Sequence, residues 1–281
     1  MQVCALAVGG LDPCGGAGLV ADLRAFAAAG VWGCAACAAL TVQSTRGVRS
    51  VHAVPPGLLA AQIEELVADV PVRAVKTGAL GSAANIRLVA ALAERLPEIP
   101  FVVDPVMAPT AGGTGALLAG RGSLGAMRQL ASRAALLTPN AAEAEALVGA
   151  PVRTPAQARE AAVALVERGA RAVLLKGGHV GMGGDGSDDG WVIDWLATRG
   201  RVVRLARRRR PGPAPHGTGC LLASLCAAAL ALDPAPVDAR RLAQIVRRAT
   251  SHLARSRRAP QRIGNGLAVL GLPPTKGAGG R

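Results

Sequence analysis

The sequence predicts an α/β protein in which helices cover both faces of a mostly parallel sheet. Apolar runs typical of strands alternate with amphipathic stretches almost from end to end. The strand-like runs are continuously apolar, which is typical of parallel strands buried on both faces. Hydrophobic residues make up 51% of the 281 residues and aromatic residues only 2%, so the core is built from Ala, Val and Leu. This composition excludes a disordered chain.

The first half of the chain predicts strands separated by helices. Leu19, Leu23 and Phe26 recur at the spacing that places them on one face of a helix. The predicted strands are Val3–Val8, Cys34–Val42, Val72–Thr77 and Phe101–Asp104, and the predicted helices are Gly15–Ala29, Leu58–Ala68 and Ala83–Arg95.

The second half continues the alternation and ends in two helices. Trp191–Asp194 and Val202–Leu205 are expected to pair antiparallel at an edge of the sheet. The other strands are Ala134–Leu137 and Ala172–Lys176, and the helices are Glu143–Val148, Ala156–Arg168, Gly217–Leu232 and Val237–Ala254. We expect one domain over residues 1–270 and a disordered tail over residues 271–281, which is rich in Gly and Pro.

Polar residues terminate several of these apolar strands. In parallel sheets, ligands bind beyond the carboxyl ends of the strands, so these positions predict the site. They are Asp12, Gln43, Lys76, Asp104, Asn140 and Lys176.

The formal net charge of +14 does not by itself indicate a nucleic-acid-binding protein. The basic residues are nearly all Arg and are spread along the chain, and aromatic stacking platforms are scarce. We interpret the densest run, Arg207–Arg210, as a solvated face, with a local anion-binding patch as the alternative, and expect no nucleic-acid partner.

The localisation expected from the sequence is cytoplasmic. Residues 1–11 lack the cationic leader of a signal peptide, and the six cysteines show no disulfide framework. The uncharged run Ala25–Thr45 is long enough to cross a bilayer, but Gly30 and Gly33 interrupt it. A helix end followed by a buried strand explains this run better, so no membrane partner is expected.

A glycine-rich loop, Gly9–Gly18, lies between the first strand and the first helix. Glycines allow the backbone to approach a ligand closely. A dinucleotide fingerprint also expects an acidic residue about 20 positions on, and the segment Ala38–Thr45 offers Gln43 instead, which disfavours a dehydrogenase. A second glycine pattern, Gly181–Gly186, opens no helix and is interpreted as a loop, and no Walker A sequence occurs.

The segment His216–Cys220 precedes an apolar helix. Gly217 and Gly219 at a helix start leave consecutive N–H groups free, and the helix dipole adds positive potential. This predicts an anion hole suited to a transferring phosphoryl group. The same field is expected to lower the pKa of the Cys220 thiol.

An ordered set of motifs carries a resemblance to a known family. The set comprises Gly10–Pro13, Gly15–Gly18, Ala21–Leu23, Gln43–Val48, Lys76–Gly78, Asp104–Met107, Thr138–Asn140, Lys176–His179 and His216–Cys220. Together they resemble the hydroxymethylpyrimidine and phosphomethylpyrimidine kinases of thiamine biosynthesis, a family with the ribokinase-like three-layer α/β/α fold. The resemblance covers about Val3–Ala254.

The resemblance implies a pyrimidine pocket. In that family the Gln of the corresponding motif reads the aminopyrimidine edge, which implies this role for Gln43. A carboxamide offers donors and an acceptor, which match a ring nitrogen beside an exocyclic amine. Gly10, Ala17, Thr41 and Val106 are implied to line the pocket.

The resemblance also implies ATP and Mg²⁺ as the nucleotide and the metal ion. Asn140 and Glu143 are implied to hold Mg²⁺ through water, and Lys176 to offset phosphate charge. Cys220 stands where relatives carry an aspartate base and is expected to accept the hydroxymethyl proton. The backbone of Gly217, Thr218 and Gly219 is expected to stabilise the transferring phosphoryl group.

The chain departs from the family pattern in three places, and two other functions stay open. Ala79 stands where the family often has Met, which should widen the pocket on one side. Thr110 fits the family pattern, but Ala111 after it lacks the usual hydroxyl, and an Arg- and Pro-rich stretch precedes His216. The alternatives are a pyridoxine or pyridoxal kinase and a non-catalytic nucleotide- or nucleic-acid-binding protein on this fold. The sequence leaves the oligomeric state open, a homodimer included.

Overall fold

The computed structural model describes residues 2–107, 122–178, 190–209, 215–233, 235, 238–257 and 260–273. The strands are β1 (Cys4–Leu11), β2 (Trp32–Ser44), β3 (Gly47–Ala53), β4 (Val72–Thr77), β5 (Phe101–Val103), β6 (Leu136–Leu137), β7 (Ala172–Leu175), β8 (Trp191–Thr198) and β9 (Arg201–Arg208). The helices are α1 (Gly18–Ala28), α2 (Pro56–Asp69), α3 (Ala83–Arg95), α4 (Ser123–Ala131), α5 (Ala141–Val148), α6 (Pro155–Glu167), α7 (Thr218–Leu232) and α8 (Ala239–Ser256). Thr110, Ala111, the loop Gly181–Gly186, Arg210 and the tail from residue 274 lie outside the described residues.

The described strands form one sheet in the order β3-β2-β1-β4-β5-β6-β7-β8-β9. The six strands from β2 to β7 run parallel, whereas β3, β8 and β9 pair antiparallel at the two edges. The predicted mostly parallel α/β fold is therefore confirmed, as is the antiparallel pair at one edge.

Two hydrophobic cores lie on opposite faces of the sheet. Alternate residues of β1 point to different cores, with Leu6 and Val8 in one and Ala5 and Ala7 in the other, as the two-residue period of a strand requires. Helices α2 to α6 cover the first face, and α1, α7 and α8 cover the second. Helix α7 has a mostly buried surface and packs against both α1 and α8, which fixes its N-terminus relative to the sheet.

Two elements were missed by the sequence analysis, β3 and α4. Strand β2 continues beyond Val42 to Ser44 and forms a hairpin with β3, in which Gly47 at φ +129° follows the turn. Helix α4 contains Gly125, which lowers helix propensity, and is stabilised by packing against α3. Both elements depend on contacts that local sequence patterns do not report.

The basic run at the end of β9 has partners within the chain. The Arg207 guanidinium lies 3.4 Å from Asp194, and that of Arg208 lies 4.3 Å from the ring centroid of Trp191. Arg209 donates to the carbonyl of Gly178 at 3.0 Å. These three residues therefore have partners within the chain at the β8–β9 edge, while Arg208 is exposed and Arg207 and Arg209 are partly exposed, in line with a solvated face.

The apolar run Ala25–Thr45 contains the end of α1 and the whole of β2, as expected, but β2 is only partly buried, since Trp32, Leu40 and Val42 are exposed. Cys34 and Cys37 lie within β2, and all six cysteines are free thiols. Among the described helices, none combines the length and the apolar character needed to cross a bilayer.

Candidate active site

The predicted site residues lie beyond the carboxyl ends of the parallel strands, where the N-terminus of α7 meets the sheet. Lys176 follows β7 and pairs with Asn140 as an isolated parallel bridge beyond β6. Asp104 follows β5, and Asp12 follows β1. The sheet thus brings together residues that are far apart in the sequence.

The Lys176 ammonium lies between a carboxylate and the start of α7. Its Nζ is 2.9 Å from Asp104 Oδ1, which also accepts from Thr138 Oγ1 at 3.2 Å. A Cβ placed on Gly219 would lie 3.2 Å from this Nζ, so the ammonium faces the first turn of α7. Although burial lowers it, the charges of Asp104 and Glu143 raise the pKa of Lys176 overall. Lys176 is therefore a cation at neutral pH.

The first turn of α7 provides the backbone N–H groups that the sequence analysis expected. Gly217 caps the helix at φ +77°, a conformation that favours glycine. A Cβ at this position would lie 1.8 Å from the Gly16 carbonyl oxygen, so only glycine fits between α7 and the loop before α1. The free N–H groups of Thr218, Gly219 and Cys220, together with Lys176, make this end of α7 an anion-binding position.

The expectation of a lowered thiol pKa at Cys220 is wrong. Burial raises the pKa of Cys220 to about 12, and the charges of Asp104 and Asp22 add to this increase. The Lys76 ammonium and the Gly18 N–H lower it, but they do not offset the loss of hydration. The Cys220 thiol is therefore protonated at neutral pH in the ligand-free protein.

A buried ion pair beneath the site received no role in the sequence analysis. Lys76 Nζ lies 2.8 Å from both carboxylate oxygens of Asp22, and both side chains are fully buried. Ser224 on α7 donates to Asp22 at 2.7 Å, and its Oγ also lies 2.9 Å from the Cys220 carbonyl oxygen. Although burial opposes it, Asp22 raises the pKa of Lys76, so the ammonium stays charged. The sequence feature that could have indicated this ion pair is Lys76 at the end of the apolar strand β4.

Asn140 and Glu143 form a capping box at the start of α5. The Glu143 N–H donates to Asn140 Oδ1 at 2.9 Å, and the Asn140 N–H donates to Glu143 Oε2 at 2.8 Å. Burial raises the pKa of Glu143 to about 7, against the lowering effect of Lys176. Glu143 thus caps the start of α5, as its position in the first turn favours. Its carboxylate is poorly solvated, so a nearby cation would stabilise the ionised form. Its oxygen donors fit Mg²⁺, which prefers carboxylate and water ligands.

The implied pyrimidine side of the site lies at the ends of β1 and β2. Thr41 Oγ1 donates to the Leu11 carbonyl at 2.7 Å, and its oxygen lies 3.2 Å from the Gln43 amide group. The other end of that amide lies 2.9 Å from His216 Nε2. Gln43 is half-buried, so its amide keeps access to the site.

The loop before α1 completes this side of the site. A Cβ on Gly18 would lie 2.2 Å from the Gly10 carbonyl oxygen, so the first turn of α1 packs directly on the end of β1. The Ala17 N–H donates to Asp12 Oδ2 at 2.9 Å. Val106 follows β5, where its N–H donates to the Asp104 carbonyl. No described contact joins Val106 to Gln43.

Asp12 is one of the predicted strand-end positions and His216 belongs to the predicted motif before α7, but the sequence analysis assigned neither a specific role. The structure shows that they connect the two sides of the site. His216 Nε2 lies 3.0 Å from Asp12 Oδ2, and His216 directly precedes the Gly217 cap of α7. Although burial raises it, hydrogen bonds from His216, Cys14 and Ala17 hold the pKa of Asp12 below its ordinary value. Asp12 is therefore an anion at neutral pH.

Several known proteins have sequences similar to this chain. A protein of Escherichia coli named hydroxymethylpyrimidine/phosphomethylpyrimidine kinase is 38% identical over 231 residues, or 81% of this chain and 82% of its own length. A Mycobacterium tuberculosis protein of the same name is 42% identical over 80% of both chains. The thiamine biosynthesis bifunctional protein of Geobacter sulfurreducens is 39% identical over 93% of this chain. This chain spans only half the length of that bifunctional relative.

Solved structures confirm the fold. A pyridoxal kinase of Bacillus subtilis in complex with ADP superposes with a TM-score of 0.81 over 96% of this chain and 97% of its own, at 24% identity. The phosphomethylpyrimidine kinase of Clostridium difficile superposes with a TM-score of 0.71 over 90% of this chain and all of its own, at 28% identity. The first of these similarities concerns the fold alone.

The family model described as phosphomethylpyrimidine kinase matches residues 12–269. This range includes Gln43, Asn140, Lys176 and the whole start of α7. The chain therefore belongs to the phosphomethylpyrimidine kinase family.

Proposed function

We propose that this chain phosphorylates 4-amino-5-hydroxymethyl-2-methylpyrimidine, and then its monophosphate, with Mg-ATP. The observation that carries the proposal is the meeting of two groups at the start of α7. The Lys176 ammonium faces Gly219 on one side, and the Gln43 amide lies within hydrogen-bond distance of His216, next to Gly217, on the other. A phosphate-binding position and a polar reader of a small ring thus share one helix end.

Phosphoryl transfer needs positioning and positive charge more than covalent chemistry. The N–H groups of Thr218, Gly219 and Cys220 and the Lys176 ammonium supply that charge at fixed positions, so little reorganisation is needed as the phosphoryl group moves. Asp104 holds Lys176 in place at 2.9 Å.

Asn140 and Glu143 would hold Mg²⁺ through water, and the ion would supply charge neutralisation at the phosphates. The poor solvation of the Glu143 carboxylate, which raises its pKa to about 7, supports this assignment because a nearby cation would stabilise the ionised form.

Cys220 is proposed as the acceptor of the hydroxymethyl proton. Cys220 belongs to the first turn of α7. The Gly18 N–H and the charges of Lys76, Asp22 and Asp104 all affect the pKa of its thiol. Because the thiol pKa is about 12, the thiolate form is scarce at neutral pH. The rate at neutral pH should therefore depend on this small thiolate fraction and should rise as the pH increases.

The test of the proposed function is the identity of the products. The purified chain, ATP, MgCl₂ and the pyrimidine alcohol are followed by ³¹P NMR. We expect a monoester signal that forms first and is then replaced by the two coupled signals of a diphosphate. Consumption of ATP without any phosphorylated pyrimidine would contradict the proposal.

Replacing Gln43 by alanine is expected to weaken pyrimidine binding selectively. The change leaves the buried pyrimidine edge unpaired, at a cost of roughly 1–3 kcal/mol. The KM for the pyrimidine should therefore rise by about tenfold or more, while the KM for ATP barely changes. Steady-state kinetics with each substrate varied measure both constants, and unchanged values for both would exclude Gln43 as the reader.

Acidification is expected to weaken Mg²⁺-dependent ATP binding through Glu143. The Glu143 pKa of about 7 means that the carboxylate gains a proton as the pH falls from 8 to 6. Because a neutral carboxyl attracts a cation poorly, the Mg²⁺ concentration that half-saturates ATP binding should rise by up to about tenfold over this range. Equilibrium binding of a fluorescent ATP analogue measures it.

The matched variant for this pH dependence is Glu143→Gln, which keeps the shape of the side chain and cannot ionise. Its Mg²⁺ requirement should be high and nearly independent of pH. If the variant and the parent show the same pH dependence, Glu143 does not take part in metal binding.

A further inference from the structure

We infer that His216, anchored by Asp12, is a positioning residue that fixes the orientation of the Gln43 amide and thereby the polarity of the edge that a substrate meets. The inference rests on the proposed function, because it assigns how Gln43 reads the pyrimidine. It concerns a hydrogen-bonded chain of four side chains, Thr41, Gln43, His216 and Asp12.

Asp12, at one end of this series of hydrogen bonds, determines which His216 nitrogen carries a proton. Asp12 is ionised and accepts from the N–H groups of Cys14 and Ala17. A carboxylate can only accept, so the His216 Nε2 at 3.0 Å must be protonated to bond it. This holds whether the ring is neutral or charged.

Thr41, at the other end of this series of hydrogen bonds, independently determines the orientation of the Gln43 amide. A threonine hydroxyl has one proton, and Thr41 donates it to the Leu11 carbonyl at 2.7 Å. Toward Gln43 its oxygen can only accept, so the amide group 3.2 Å away must present its NH₂.

Both ends therefore select one amide orientation. The two ends of a carboxamide have the same shape, and the protons of the partners decide which end is oxygen. In the structure, the Gln43 nitrogen is the end that faces His216. The proton count selects the flipped amide, in which the NH₂ donates to Thr41 and Oε1 shares the single Nε2 proton of His216 with Asp12 in a three-centre bond. One N–H and one oxygen lone pair then remain for a ligand, in a fixed order along the edge.

The His216 ring is held rigidly enough for this role. Its backbone N–H donates to the Ala268 carbonyl at 2.9 Å. A Cβ on Gly16 would lie 2.5 Å from the ring, so the ring packs tightly against the backbone of Gly16. Its Nδ1 is buried without a hydrogen-bond partner among the described residues, so all polar contacts of the ring go through Nε2.

A metal ion is a weaker interpretation of the same residues. Ligand atoms of Asp12, Cys14 and His216 lie within 4.8 Å of one another. However, the Cys14 thiol donates to Asp12 at 3.3 Å, and burial together with Asp12 raises the pKa of Cys14 to about 11. A metal would have to displace that proton and the hydrogen bonds that already satisfy Asp12.

The order of donor and acceptor matters for a substrate that carries a ring nitrogen beside an exocyclic amine. The ring nitrogen accepts and the amine donates, so each pairs with a different end of the Gln43 amide. If the Gln43 amide were flipped, the aminopyrimidine could pair with it only after turning over. The hydroxymethyl group beside the amine would then point in a different direction. His216 thus selects the substrate pose as well as its affinity.

The experiment compares His216→Gln with His216→Asn. A Gln nitrogen reaches the position of His Nε2, whereas an Asn nitrogen reaches only that of Nδ1. We expect His216→Asn to raise the Kd for the pyrimidine alcohol about tenfold, and His216→Gln to restore most of the loss. His252→Asn, which alters a buried histidine on α8 outside the site, is the matched control and should leave this Kd unchanged.

A double-mutant cycle separates positioning through Gln43 from direct contact or misfolding. In the Gln43→Ala background, His216→Asn should change the pyrimidine Kd by less than about twofold. The preference of the parent for the pyrimidine over its analogue without the 4-amino group should also fall in His216→Asn. An equal effect of His216→Asn in both backgrounds would overturn the inference. If the unsubstituted protein does not bind the pyrimidine alcohol at all, the proposed function is contradicted instead.

A measurement without ligand tests the proton count directly. Long-range ¹H–¹⁵N NMR of the ligand-free protein reports which His216 nitrogen is protonated. We expect a protonated Nε2 that exchanges slowly with solvent. An unprotonated Nε2 would overturn the inference, whatever the binding data show.

Discussion

Lys176→Ala is expected to lower kcat by about 10²–10³-fold and to leave pyrimidine binding in the absence of ATP nearly unchanged. The Lys176 ammonium faces the first turn of α7, where the phosphoryl group must pass. Removing one preorganised charge from such a position costs about this much in the transition state. Rapid-quench kinetics give the rate, and calorimetry gives the equilibrium binding of the pyrimidine.

The control for this prediction is Arg95→Ala, which removes an exposed cation that lies 3.9 Å from Glu64 on the surface. Exposed pairs contribute little, so this variant should match the parent in rate and stability. A large loss of pyrimidine binding in Lys176→Ala, with the fold intact, would place Lys176 in the substrate pocket instead.

Cys220→Ser is expected to lower kcat by at least about 10²-fold with substrate affinity largely kept. General-base assistance typically contributes about 10²–10⁴-fold to the rate. A serine hydroxyl loses its proton far less readily than a thiol, so it supplies much less of the anionic base. Since the Cys220 pKa is about 12, the thiolate fraction grows with pH throughout the range from 7 to 9.5. We therefore expect the parent's kcat to rise by roughly tenfold per pH unit there, and that of the variant to stay flat.

Lys176 does not obscure this profile, because its pKa is raised and it stays charged over the same range. Cys226→Ala is the matched control, since Cys226 lies on the same helix but in the core. It should keep the parent's pH profile. Turnover by Cys220→Ser within about threefold of the parent would show that Cys220 only fills space.

Most of the fold is predictable from sequence because the central strands are continuous apolar runs. The predicted bounds of β4 and α3 agree with the structure. The hairpin strand β3 was missed because it lies at the exposed sheet edge and is stabilised by pairing with β2. Local patterns indicate elements with a buried face, and they report little about an edge strand.

The site was only partly predictable. Lys176 and Asn140 follow strands, and Gln43 lies next to the last residue of β2, so the rule for parallel sheets locates them. The contact of Asp12 with His216 joins residues 204 positions apart, and no local pattern reports it. The Cys220 pKa shows a different limit, since the rule for helix N-termini ignores burial. In the structure burial outweighs the lowering effects of Lys76 and of the Gly18 N–H on the Cys220 pKa.

The central claim is that this site accepts an aminopyrimidine rather than a related ring. The most direct measurement is a competition reaction in which the chain meets equal concentrations of the pyrimidine alcohol and pyridoxal with Mg-ATP. Pyridoxal lacks the amine that Gln43 is proposed to read, so kcat/KM should favour the pyrimidine by at least about tenfold. Gln43→Ala should narrow that ratio. Equal or preferential phosphorylation of pyridoxal by the parent would contradict the account.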